Sequence, residues 1–119
     1  DPNYPDVYEK MNTAYIGGGI TIVKYTGSRG KGGCNDANPE FINYVRNIFN
    51  DNNVVWQTGE LGKVDQGGGG TIAYILARHG MEVLDCGVAM LSMHAPYEVV
   101  SKADVYMTYR GYKAFYEAN

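Results

Sequence analysis

Strand-like and helix-like segments alternate along residues 20–116, and that alternation restricts the chain more than any single motif. "ITIVKY" (20–25) is a β-branched run following Gly17, Gly18 and Gly19, so a strand is expected there. "NPEFINYVRNIFNDNN" opens with Asn38 as N-cap and Pro39 at the first helical position. The first residue type satisfies a free N–H of the first turn and the second has none to satisfy. Phe41, Val45, Ile48 and Phe49 recur at helical spacing and predict one apolar face. "VVWQ" (54–57) reads as a second strand, and a polar loop runs from Thr58 to four consecutive glycines. Beyond these, Ile72, Ile75 and Leu76 share a helical face, with Gly80 as the C-terminal cap. "MEVLDCGVAM" (81–90) suits a buried strand. Ser101 and Asp104 form a capping-box-like start, with aspartate where Glu or Gln is usual. Val105, Tyr109, Tyr112 and Tyr116 are the expected buried stripe of the last helix. The expected fold class is α/β, a layered sheet with flanking helices.

At 119 residues, 45% of them hydrophobic, the chain suffices for one small domain. A net charge of −3 leaves no basic footprint for nucleic acid. No apolar run reaches the ~20 residues that span a bilayer. The opening, "DPNYPDVYEK", is polar and proline-containing and does not read as a signal peptide, so a cytoplasmic location is expected. It also lacks a methionine and begins within a turn-like segment, which reads as a piece of a longer protein. Cys34 and Cys86 show no CxxC spacing and are expected to be a reduced pair rather than a disulfide.

Two stretches bear on function. "DQGGGGTIAYILARHG" (65–80) sets four glycines before a helical segment, where backbone N–H groups can cradle an anion. A Walker A loop needs GxxxxGK[ST], and no lysine stands between the glycines and Thr71. "GSRGKGG" (27–33) has its lysine followed by Gly32 rather than Ser or Thr. Spacing from Gly67 and Gly69 would put the third glycine of a dinucleotide fingerprint at position 72, which is isoleucine. What remains is either a flexible turn or a helix start bare of side chains that a ligand's backbone or carboxylate could approach. Glu60, Lys63 and Asp65 lead into it, either as a solvated charged loop or as groups orienting a polar substrate.

The second stretch is "DCGVAMLSMHAPYEVVSKAD", in which His94 stands beyond a strand and before a proline turn. Sites in open α/β sheets gather at the carboxyl ends of strands, although a single histidine is often structural. His79, in the last turn of a helix, reads as surface. Zinc needs three or four ligands, and no HExxH or paired acidic motif accompanies His94. If His94 binds metal, most of the first shell comes from outside these residues.

"WQTGELGKVDQGGGGTIAYILARHGMEVLDCGVAMLSMHAPYEVVSKADVYMTY" resembles the C-terminal end of the aspartyl aminopeptidase and aminopeptidase I family of di-zinc metallopeptidases. The "DPNYPDVYEKMN" opening and "GSRGKGGCND" loop extend the resemblance over essentially all of the chain. It implies that residues 1–119 are the C-terminal portion of a metallo-aminopeptidase catalytic domain, which removes one N-terminal residue from peptides at a two-zinc site. Cobalt or manganese are alternative metals. The histidine of the "MH" motif is a zinc ligand in that family, which implicates His94. The loop entering the glycines lines the substrate site, implicating Lys63, Asp65, Gly70 and Thr71. Lys24 matches a lysine that faces acidic substrate side chains in aspartyl-specific members, and equally reads as a surface strand residue. The remaining ligands and the general-base glutamate belong upstream of Asp1, so the isolated chain is expected to be inactive. The implied partners are the peptide substrate, the remainder of the catalytic domain and further copies in a homo-oligomer. The alternative is a non-catalytic peptide-binding or structural module on the same fold.

Overall fold

The computed structural model describes residues 5–23, 38–60, 62–63 and 71–118. A 3-10 turn at Pro5–Val7 precedes β1 (Ile20–Val23), α1 (Pro39–Asp51), β2 (Trp56–Gly59), α2 (Ala73–Ala77), β3 (Asp85–Val88), β4 (Met90–Leu91), β5 (Val99–Val100) and α3 (Lys102–Glu117). The expected α/β class is observed, with a helical layer on a mixed sheet. β1 is the middle of three strands in the order β2-β1-β3, parallel to β2 and antiparallel to β3. β4 and β5 form a separate two-stranded hairpin.

Period-two alternation in β1 sends Ile20 and Ile22 to one face. There they meet Val45, Ile48 and Phe49 of α1, Ala114 of α3, and Val54. Burying each such large side chain contributes about 1.5–3 kcal/mol, so this cluster is the main source of cohesion. The other face of β1 carries Thr21, beside Gly59 and Ala14; a Cβ on Gly59 would lie 2.8 Å from that of Ala14. Chain therefore covers β1 on both sides.

α1 begins as expected: the Asn38 side chain accepts from the Phe41 N–H at 2.7 Å, and Pro39 opens the helix. Its buried face is Ile42, Val45, Ile48 and Phe49, whereas Phe41 sits at the margin, edge-on to Phe115. β2 starts two residues later than "VVWQ" suggests. Val54 instead closes the end of α1, its N–H donating to Phe49 O at 2.8 Å.

α2 is a single short stretch in which Ala73 is buried, and Ile72, Ile75 and Leu76 are exposed rather than facing a core. The expected strand over 81–90 is reduced to Asp85–Val88, because residues 81–84 find no strand to pair with among the described residues. Met90 and Leu91 then leave the sheet to pair with Val100 and Val99.

The largest correction concerns α3. Val105, Tyr109 and Tyr116 point outward, with Tyr109 60% and Tyr116 82% exposed, and Tyr112 lies outside the core too, its hydroxyl reaching Cys86 O of β3. Asp104, Gly111 and Ala114 face inward instead. The reason is space: a Cβ on Gly111 would meet Ile20 Cδ1 and Phe49 Cε1 at 3.2 Å. Only small side chains let this helix lie so close to β1 and α1, and aromatic rings are displaced to the outer face.

Candidate functional site

His94 sits in the turn that joins β4 to β5. Ala95 N–H donates to Ser92 O at 2.9 Å, and the Glu98 carboxylate accepts from the His94 N–H at 2.6 Å. Ser92 and His94 both occupy the left-handed region, with φ of 57° and 68°. Such conformations cost non-glycine residues about 1–3 kcal/mol and collect at functional sites. The hairpin thus spends backbone energy to display His94, whose side chain is exposed. Among the described residues no imidazole hydrogen bond holds it, so its single lone-pair nitrogen is open to a ligand from elsewhere. No group of three or more His, Cys, Asp or Glu side chains converges on a metal-sized space among the described residues. Zinc takes three or four ligands, so His94 with the other described residues does not by itself make a zinc site.

A second cluster forms at the carboxyl ends of β1 and β2. Thr71 Oγ1 donates to Asp85 Oδ2 at 2.8 Å and accepts from the Ala73 N–H at 3.1 Å, so one hydroxyl both starts α2 and ties it to β3. Asp85 pairs opposite Val23, and Val23 pairs opposite Gly59. Glu60 follows directly and is 7% exposed, with its N–H donating to Asn12 O at 2.9 Å. Lys63 is half-buried on the bend after Gly62. Lys24, Asp65, Gly70 and the "GSRGKGGCND" loop, Cys34 included, lie outside the described residues.

The register separates these two features. Ile20 pairs with Val88 at one end of β1, and Val23 with Asp85 at the other. The His94 hairpin is thus rooted at the opposite end of β1 from the Thr71–Asp85 pair. His94 does follow the carboxyl end of a strand, but β3 runs against β1 and β2, so the usual rule for parallel sheets does not transfer. Burial of Glu60 and the pairing of Asp85 were missed in the sequence. The one signal available was position, since Glu60 falls on the residue after a strand. The helix that follows the glycines is also shorter than expected, spanning Ala73–Ala77 alone.

Cys86 lies half-buried in an apolar groove of about 300 Å³ between α1, α3 and residues 81–84, with Phe41, Leu76, Met81 and Tyr116 along its walls. The Tyr112 hydroxyl donates to Cys86 O at 2.6 Å. Burial, reinforced by neighbouring Asp85, pushes the Cys86 thiol up despite the opposing influence of Tyr112. The thiol stays protonated at neutral pH, which removes it as a nucleophile.

Comparisons with known proteins bear on the fold and the family. A family model described as "Aminopeptidase I zinc metalloprotease (M18)" matches residues 1–116. The "Probable M18 family aminopeptidase 1" of Clostridium acetobutylicum is 69% identical over 115 residues, covering 97% of this chain and 25% of the relative. The crystal structure of aminopeptidase I from Clostridium acetobutylicum superposes with a TM-score of 0.90 at 67% identity, covering 99% of this chain and 26% of that one. The M18 aminopeptidase from Thermotoga maritima superposes with a TM-score of 0.88 at 50% identity, covering 96% and 25% of the two chains. Fold and family match together define a metallopeptidase-class polypeptide. The chain belongs to the M18 aminopeptidase family and spans about a quarter of the length of the relatives it matches. No described helix is long and apolar enough to cross a membrane.

Proposed function

We propose that residues 1–119 form the C-terminal portion of the catalytic domain of a zinc-dependent aminopeptidase, which hydrolyses the N-terminal residue from peptides. The observation that carries this reading is the strained turn that displays His94 with an unengaged imidazole, within a chain of a zinc-metalloprotease family. His94 is one ligand in a site of two zinc ions, and the other ligands and the general-base glutamate come from the rest of the polypeptide. When bound, zinc supplies Lewis-acid polarisation of the scissile carbonyl. The residues of this chain bind and orient. Glu98 holds the backbone at His94 so that the ring faces outward.

Lys63, Asp65, Gly70 and Thr71 are assigned to substrate binding, with Thr71 fixed by Asp85. Glycines carry no side chain that would obstruct a peptide backbone. Lys24 is assigned to an acidic side chain of the substrate. The functional protein is a cytoplasmic homo-oligomer, and the isolated chain is inactive for want of the remaining site.

The test is His94→Ala in the full-length polypeptide. Metal analysis should show loss of tight binding at one of two sites, and turnover should fall by at least about 100-fold, the scale on which a missing transition-state stabiliser acts. Unchanged zinc content and turnover would reject the ligand role.

A further inference from the structure

Asp104 has 1% of its surface exposed, yet it carries a carboxylate on a helix packed against the sheet. Its two oxygens accept from two backbone donors distant in sequence: Gly17 N–H at 2.7 Å and Gly19 N–H at 2.9 Å. It does not complete the expected capping box by turning back on Ser101. Ser101 caps α3 from its own side, with a longer contact of 3.4 Å from the Asp104 N–H.

The segment that Asp104 grips has little freedom to be anything else. Gly17 and Gly19 have φ of 93° and 82°, and a Cβ on Gly19 would lie 2.0 Å from Val55 O. Gln57 fastens the same segment from the other side. Its Oε1 accepts from Tyr15 N–H at 2.9 Å, and its Nε2 donates to Tyr15 O at 2.7 Å.

Both roots of the His94 hairpin converge on this segment. β4 is separated from β3 by Ala89 alone, and the last residue of β3, Val88, pairs with Ile20 immediately after Gly19. β5 is separated from α3 by the cap residue Ser101 alone, and Asp104 in the first turn of α3 bonds Gly17 and Gly19. One root is held by the strand ladder. The other is held by the Asp104 carboxylate together with the packing of α3 further along against β1 and α1.

We infer that Asp104 is a positioning residue for His94: by bonding Gly17 and Gly19, it closes the base of the β4–β5 hairpin and fixes where the turn carries the imidazole. The inference rests on the reading of His94 as a metal ligand for its functional consequence, though not for the hairpin geometry itself. The two carboxylate bonds are charge-assisted and shielded from water, which places them among the stronger single contacts a fold can make.

The experiment is hydrogen exchange of the backbone amides of residues 90–100 in the full-length polypeptide, stripped of metal by chelation. Asp104→Asn is compared with Val45→Ala, a core variant in α1 that lowers the melting temperature without touching the clamp. If Asp104→Ala does not fold, Asp104→Asn, which keeps the size and one acceptor, carries the measurement. The expected result is exchange in 90–100 at least about 10-fold faster than in the control at matched loss of melting temperature, the factor corresponding to one lost charge-assisted hydrogen bond. Reloaded with zinc, Asp104→Asn should also release metal to a colorimetric chelator faster than the control. Exchange no faster than in Val45→Ala would overturn the clamp. Zinc release matching the control, in a protein that loses zinc on His94→Ala, would overturn its link to the metal. Retention of full zinc by His94→Ala would sink the ligand reading instead, and the exchange measurement would then judge the clamp alone.

Discussion

At the scale of single residues, burial changes what a side chain does. Tyr112 is 43% exposed, and its ring covers Cys86 while its hydroxyl donates to Cys86 O. Desolvation first, then the proximity of Cys86, pushes its phenol up to about 12 from an ordinary 10. A phenol with a raised value in the folded state favours the neutral form there, so its contribution to stability is complete below pH 10 and is lost as pH climbs from 10 to 12. Thermal melts of the full-length polypeptide should therefore lose stability across that window. Tyr112→Phe should melt lower than the parent at pH 8, with a difference that shrinks toward pH 12. A constant difference from pH 8 to 12 would show that the hydroxyl bond does not govern the titration. Residues of this kind are the least legible in a sequence. Glu60 reads as part of a solvated charged loop, and its burial is set by chain around Asn12 that packs from far away. Asp104 reads as a cap residue, and its partners lie more than eighty positions earlier. His94 was legible as a residue to single out, but not the left-handed turn that displays it.

At the scale of elements, legibility follows local signals. α1 is read correctly because the Asn38 cap, Pro39 and the helical spacing of apolar residues all lie within one segment. The β4–β5 hairpin is not, since each of its strands has two residues, too few to show a period. In α3 the period is present but misassigned. Large apolar side chains normally mark the inward face, yet here the inward row is Asp104, Gly111 and Ala114. Packing distance decides this, and no local pattern states it. Two substitutions separate the alternatives. Gly111→Val adds bulk 3.2 Å from Ile20 and Phe49 and should destabilise the fold by about 1–3 kcal/mol, the range for overpacking a core. Tyr109→Ser, on the outward face, should change the stability of residues 1–119 by themselves by less than about 0.5 kcal/mol, as surface changes do. Denaturant melts reporting the reverse order would mean that the tyrosine face is the packed one.

At the scale of the whole molecule, the outward faces acquire a meaning they lack individually. Val105, Tyr106, Tyr109 and Tyr116 on α3, and Ile72, which is 75% exposed, with Ile75 and Leu76 of α2, put large apolar side chains in contact with solvent. The groove beside Cys86 continues this surface along Leu76, Met81 and Tyr116. β2 and β3 each pair with β1 alone among the described residues, leaving two strand edges that can accept another strand. Scattered apolar residues on a surface are ordinary, but contiguous ones mark a buried interface or an aggregation risk. On the proposed reading the first of these applies, the chain spanning about a quarter of its relatives' length. Expressed alone, residues 1–119 should self-associate or precipitate, and should bind an apolar fluorophore strongly. Co-expression with the complementary three quarters of an M18 polypeptide should suppress both effects, because the same surface then packs within one domain. Light scattering decides it: a monodisperse monomer with a sharp cooperative melt and no dye binding would show that the exposed faces need no cover. Self-association that the complementary part does not relieve would instead assign them to contacts between copies.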